Sequence, residues 1–307
     1  MKLSKFVIMI CIVVLTTNSY KLQAQTNGLS AESVLDQWFS IDPQHDIEMQ
    51  QTTLPADALG KRFNLSFISD DQQRVNGTLA MPEIKDGKLK LALMLHPMGR
   101  DENIWWSEDN ALSGGAISTR LRQQGYAVLS LDARRHGKRT LSDMGLGELL
   151  KRAHGKHPRQ YTDMIVGTVR DYRLALHWLK NTLDLSDTSI FAIGYSMGAQ
   201  MSLLLASYES DINQLLVMVP PYVQQKNSPV APRYHVAKIN QAQLMMFVAK
   251  QDPYSSEVEN QEVFDKVSTK NKNIKWFDSG HLLPKAYLQM ALGFIDQLPS
   301  TSLSLEK

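Results

Sequence analysis

Apolar residues along this chain fall into two periodicities. From Asp163 to Lys180 they recur at Ile165, Val169, Tyr172, Ala175, Leu176 and Leu179. Steps of three and four put them on one face of a helix. Arg62 to Ser69 and Val75 to Met81 instead alternate polar with apolar across the turn-like Ser69-Asp70-Asp71, which predicts two half-buried strands. Six further runs are almost wholly apolar and short: Leu89 to Leu95, Tyr126 to Leu131, Ser189 to Ile193, Leu215 to Val219, Leu244 to Ala249 and Ile274 to Phe277. Leu89 to Leu95 reads as a central strand buried on both faces, Tyr126 to Leu131 and Ser189 to Ile193 as further buried strands, and the remaining three as strands. Between them the pattern predicts helices over Ala116 to Gln124, ended by Gly125, then Ala199 to Tyr208, Val258 to Val267 and Lys285 to Leu298. An N-terminal helix is predicted over Ser30 to Phe39, with Ser30 as its cap and Val34, Leu35 and Trp38 on one face. Two or three strands followed by strict alternation of helix and strand make this an α/β chain. The expected architecture is a mostly parallel central sheet with helices on both faces.

In such sheets, sites form at the carboxyl ends of strands, so the residues just after each strand carry the chemistry. After Ser189 to Ile193 comes Gly194-Tyr195-Ser196-Met197-Gly198, a strand, tight turn and helix with a serine at the apex. A serine hydroxyl is a weak nucleophile unless it is exposed, held in a strained turn and placed beside a base. Glycines two residues to either side allow strand and helix to approach closely. After Leu244 to Ala249 comes Lys250-Gln251-Asp252-Pro253, and after Ile274 to Phe277 comes Asp278-Ser279-Gly280-His281. The order Ser196, Asp252, His281 suits a nucleophile, an orienting acid and a base meeting at one sheet edge. Asp278 is the rival acid, nearer to His281 in sequence but expected to end its own strand.

These motifs, with His96-Pro97-Met98-Gly99 and Asp132 to Gly137 after earlier strands, resemble the α/β-hydrolase superfamily. The likeness is to esterase-like members akin to dienelactone hydrolases and prolyl-oligopeptidase catalytic domains, and it spans roughly Arg62 to Leu298. It implies an acyl-enzyme on Ser196, with His281 as proton carrier and Asp252 fixing its tautomer. It also implies an oxyanion hole from the backbone N–H groups of Met98 and Met197. Pro97 stands where the family commonly has glycine, and proline has no N–H to donate. Arg135 stands where glycine is common. Trp105 and Trp106, after the oxyanion loop, are candidate walls of a substrate pocket or simply aromatic anchors of a surface loop; Tyr195 is a further candidate substrate contact. Relatives place a cap between the strands where His235 lies, and Pro220 to Gln241 is only long enough for a small one, so an open site is expected.

The remaining features bound the reading. No histidine pair has metal-binding spacing, so neither metal nor cofactor is expected. His96 is expected to hold its loop, His177 to pack or face solvent, and His154 and His157 to lie in a basic loop. Asp132 to Gln160 carries Arg134, Arg135, Lys138, Arg139, Lys151, Arg152, Lys156 and Arg159. That stretch either steers an anionic substrate or is a solvated face. The formal net charge of +2 over 307 residues does not suggest nucleic acid. Lys2 and Lys5, the apolar Phe6 to Leu15 and Leu22-Gln23-Ala24 have the layout of an export signal cleaved before Gln25. The one cysteine, Cys11, would leave with it. The expected plan is a signal peptide over 1–24, a helical extension over 25–60 and a catalytic domain over 61–300, with export to the periplasm or beyond and no stable membrane insertion afterwards. The leading functional expectation is a carboxylesterase acting on a small-molecule ester or short acyl substrate. A serine peptidase for short peptides, acyl transfer to another acceptor, and a catalytically silent binding protein on the same scaffold remain the alternatives.

Overall fold

Nine strands build one sheet: β1 (Gln50–Asp57), β2 (Gly60–Ile68), β3 (Arg74–Pro82), β4 (Lys90–Leu95), β5 (Tyr126–Leu131), β6 (Ile190–Tyr195), β7 (Ile212–Met218), β8 (Gln243–Ala249) and β9 (Lys272–Phe277). Their order across the sheet is β1-β2-β3-β5-β4-β6-β7-β8-β9. β1 pairs antiparallel with β2, β2 with β3, and β3 with β5; from β5 to β9 every pairing is parallel. The computed structural model describes residues 31–298 except 43–44, 84–88, 143–146, 149–150, 152–157, 184 and 186–188. The proposed signal at 1–24, Ser30, His154 and His157 therefore lie outside the described residues. Among the described residues, no helix is long and apolar enough to cross a membrane.

The helices are α1 (Ala31–Phe39), α2 (Gly114–Gln123), α3 (Pro158–Thr182), α4 (Met197–Tyr208), α5 (Glu257–Lys266) and α6 (Ala286–Asp296). Strand side chains alternate between two cores, which is why the central parallel strands read as unbroken apolar runs; β9, at the edge, alternates exposed Asn273 and Lys275 with half-buried Ile274 and Trp276. Leu91, Leu93 and Leu95 meet Ile165 and Val169 of α3 and Leu203 of α4 on one face. Ala92 and Met94 meet Ile117 of α2 and Phe294 of α6 on the other. α4 is buried along its whole length from Met197 to Ser207. α5 starts on a capping box, in which the Ser256 hydroxyl accepts from the Glu259 N–H while the Glu259 carboxylate accepts from the Ser256 N–H.

Two features depart from the apolar pattern. β1 falls within the stretch read as a helical extension. Its sequence, QQTTLPAD, is polar and exposed on both faces, so it carries no alternation to detect. It survives as an edge strand, where Pro55 costs no ladder bond. α1 does form, but Val34 and Trp38 are exposed and the buried residue is Phe39, stacked on Tyr208 at 4.7 Å. A two-turn helix lying against α3 inserts its end rather than one full stripe.

Candidate active site

The topology itself makes the cleft. From β4 the chain crosses to one side to form β5, then returns to β6 on the other side. Loops leaving β4 and β6 diverge there, and a crevice opens at the carboxyl ends of the strands. Leu95 pairs with Gly194, so the loop after β4 runs beside the turn after β6. Ser196 sits at that turn with φ 54° and ψ −119°, between the end of β6 and the start of α4. Such a backbone costs on the order of 1–3 kcal/mol, and neighbouring structure must hold it. Here its N–H donates to the Met218 carbonyl at 2.8 Å. Both flanking glycines are sterically required: a Cβ on Gly194 would meet the Gly198 carbonyl at 2.2 Å, and one on Gly198 the Leu95 carbonyl at 2.0 Å.

His281 Nδ1 lies 2.8 Å from Asp252 Oδ2, and its Nε2 lies 2.7 Å from Ser196 Oγ. An ionised carboxylate only accepts, so Nδ1 carries the ring proton and Nε2 is left bare to accept from the serine hydroxyl. The Asp252 side chain is fully buried, and its Oδ1 accepts the Tyr254 N–H at 2.9 Å. Asp278 instead points into solvent and pairs with Lys250 at 2.8 Å, so it does not serve the imidazole. Tyr195 locks the histidine loop from beneath. Its hydroxyl donates to the His281 carbonyl at 2.9 Å and accepts the Leu283 N–H at 2.9 Å. Tyr254, missed in the sequence, sets its ring at 79° to His281 with centroids 4.7 Å apart. Its only sequence signal is its place two residues after Asp252.

Met98 and Met197 line the same cavity as Ser196 and His281. Met197 is the first residue of α4, so its N–H has no partner within the helix. Met98 lies in a tight turn closed by the Arg100 N–H on the Pro97 carbonyl, with Gly99 at φ 74°. His96 ties this loop to the next one: Nδ1–H donates to the Pro97 carbonyl and Nε2 accepts the Ala133 N–H, both at 2.9 Å. Complete burial pushes its pKa down to about 4, so the ring is the neutral tautomer these bonds need. Asp132 adds a second tie, accepting the Glu102 N–H at 3.2 Å and the Lys138 N–H at 2.9 Å.

The cavity around Ser196 has a volume of about 500 Å³, and its walls include Leu112, Tyr195, Tyr222, Val223, Tyr254 and Leu282. Neither Trp105 nor Trp106 lines it. Trp105 is fully buried in the core with Leu112 and Ile117. Trp106 turns away to donate its indole N–H to Glu102 at 2.5 Å, with Arg62 over its ring. Core packing, not substrate, holds both. His235 is also absent from the cavity, being buried against Phe39 and bonded to the Tyr208 hydroxyl at 2.7 Å. His177 faces Glu209 at 3.6 Å. Within the basic stretch, Arg134 is held by Asp71 and Asp171, and Arg139 by Asp171. Those two charges are neutralised locally. Between β7 and β8 the chain makes only three-residue turns at 232–234 and 236–238, and no lid helix. Among the described residues, no three His, Cys, Asp or Glu side chains cluster as a metal site would require.

The family model for dienelactone hydrolases matches residues 109–281, more than half of the chain and the part that holds Ser196, Asp252 and His281. No curated protein matches the sequence. Among solved structures, acetyl xylan esterase 1 from Thermoanaerobacterium sp. aligns at TM-score 0.66 and 14% identity, covering 86% of this chain and 92% of that one. A cold-adapted esterase from an Arctic intertidal metagenomic library aligns at TM-score 0.63 and 16% identity, covering 80% and 95%. An esterase of Pyrococcus furiosus aligns at 0.54 and 16%, covering 84% and 95%. At these identities the likeness establishes a shared fold, the α/β-hydrolase fold.

Proposed function

The chain belongs to the dienelactone hydrolase family, and from that premise we propose that it is an exported carboxylesterase that works through Ser196, His281 and Asp252. The observation that carries this reading is the unbroken hydrogen-bond line from Ser196 Oγ through His281 to buried Asp252, opening on a cavity at the sheet's carboxyl edge. Ser196 Oγ attacks the ester carbonyl carbon as its proton passes to His281 Nε2. The tetrahedral oxyanion is held by the N–H groups of Met98 and Met197. Fixed dipoles aimed at a developing charge are commonly the largest catalytic term, worth about 10²–10³ per donor. When the intermediate collapses, the C–O bond to the alcohol breaks and His281 gives the alcohol its proton. Water then attacks the acyl-enzyme, loses a proton to His281 and frees the acid and Ser196. The imidazolium is stabilised by Asp252, whose burial leaves it no competing water.

Esterases among the structural neighbours support ester over amide chemistry. The two lysines and apolar run near Met1 support export, with a mature start at Gln25. A fluorophosphonate probe, together with p-nitrophenyl acetate, p-nitrophenyl butyrate and a chromogenic peptide amide, tests the reading. The expected result is one label per chain, ester turnover and no amide cleavage. Label and turnover that persist in Ser196→Ala would overturn the assignment of the nucleophile.

A further inference from the structure

Next to the catalytic cavity lies a second one of about 680 Å³. The two are contiguous: Arg100, Ile104 and Ala111 line both. Their chemistries differ. The walls around Ser196 are largely aromatic and aliphatic, as a short acyl group or other apolar arm would want. The second cavity is rimmed by Arg100, Asp101, Asn103, Asp109, Arg135 and Thr140, from the loops after β4 and β5. Among the described residues, neither Arg100 nor Arg135 forms an ion pair, and both are exposed. Two arginines and two aspartates line it, so the rim has no net charge. An anion would meet two carboxylates as well as two cations, and a cation the reverse. A group that both donates and accepts meets neither penalty, because arginine only donates and aspartate only accepts. Hydroxyl groups in a row have this property.

We propose that the second cavity is a substrate subsite for an uncharged polyhydroxylated group, so that the natural ester joins a sugar-like or polyol half to a less polar half. The inference rests on the esterase reading and adds a substrate class to it. The polyol can be the alcohol half, as in an acetylated sugar, or the acyl half, as in the ester of a sugar acid. Both present the same hydroxyls to the rim.

Kinetics on the mature enzyme separate these cases. The substrates are methyl 6-O-acetylglucoside, methyl gluconate, monomethyl succinate and p-nitrophenyl acetate. The variants are Asp109→Ala and Arg135→Asn, asparagine being chosen because position 135 has φ 68° and asparagine tolerates that region. Each variant is expected to raise KM for one of the two polyol esters about tenfold, the loss of one hydrogen bond to a charged group. Turnover of p-nitrophenyl acetate should stay within twofold. Whichever polyol ester responds identifies the half that carries the hydroxyls. Equal changes for all four esters, or a response of monomethyl succinate alone to Arg135→Asn, would overturn the proposal. Calorimetry of methyl glucoside and gluconamide binding to Ser196→Ala, with and without Asp109→Ala, needs no turnover. Failure of esterase activity is thereby kept distinct from failure of the subsite. Binding absent for both probes, or unaffected by Asp109→Ala, would also overturn it.

Discussion

Replacing Glu102 with glutamine should reverse part of the protein's response to pH. Glu102 is 4% exposed, and its carboxylate accepts from the Trp106 indole at 2.5 Å and the Thr78 hydroxyl at 3.1 Å. Burial, reinforced by the nearby Asp132 and opposed by the Trp106 bond, pushes its pKa from the ordinary 4.5 up to about 7. Between those values the folded chain keeps a proton that the unfolded chain has released. The contribution of Glu102 to stability is therefore highest below pH 4.5 and is lost as pH rises to 7. At about 1.4 kcal/mol per pH unit, the window amounts to about 3 kcal/mol. His96, His136 and His235 act in the opposite sense. Burial lowers each to about 4, so their contribution is present above pH 6.5 and is lost as pH falls. The raw curve of the wild type mixes both effects, while the difference between wild type and Glu102→Gln isolates the carboxyl. The amide can still accept from Trp106 through its oxygen and donate to Thr78 through its nitrogen. Urea unfolding at pH 4.5, 5.5, 6.5 and 7.5 should show the variant gaining about 3 kcal/mol on the wild type across the series. A difference that stays constant to within about 0.5 kcal/mol would refute the raised pKa and the reasoning behind it.

Three further outcomes are expected. Asp252→Asn should lower kcat on the order of 10⁴-fold with the fold intact, whereas Asp278→Asn, which loses only an exposed pairing with Lys250, should leave kcat within twofold; steady-state kinetics and circular dichroism decide between them. Gly198→Ala forces a Cβ to within 2.0 Å of the Leu95 carbonyl, so it should displace the Ser196 turn, cost about 1–3 kcal/mol in denaturant unfolding and abolish most ester turnover. Mass spectrometry of the protein from its native compartment should find a chain that starts at Gln25; an intact Met1 in a membrane fraction would make the segment an anchor.

Much of the molecule was legible before any coordinate. The apolar runs of the central strands follow from burial on both faces, and the helices from their own apolar period, properties each segment expresses by itself; β9, at the sheet's edge, instead alternates exposed Asn273 and Lys275 with half-buried Ile274 and Trp276. Ser196, Asp252 and His281 were legible because each closely follows one of those strands, and parallel strands deliver their carboxyl ends to one edge. Only the tertiary structure decided the rest. β1 is invisible in QQTTLPAD because an edge strand is held by backbone pairing, which leaves no mark on side-chain pattern. Trp105 and Trp106 follow the oxyanion loop in sequence, yet they turn into the core and toward Glu102, because a loop residue's direction is set by what packs against it from elsewhere. The same holds for Arg134, whose charge is spent on Asp71 and Asp171, far away in sequence. Which segments become strands and helices is a local property read segment by segment; the order of the strands across the sheet, and the charge and shape of a cavity, belong to pairs of segments that only folding brings together.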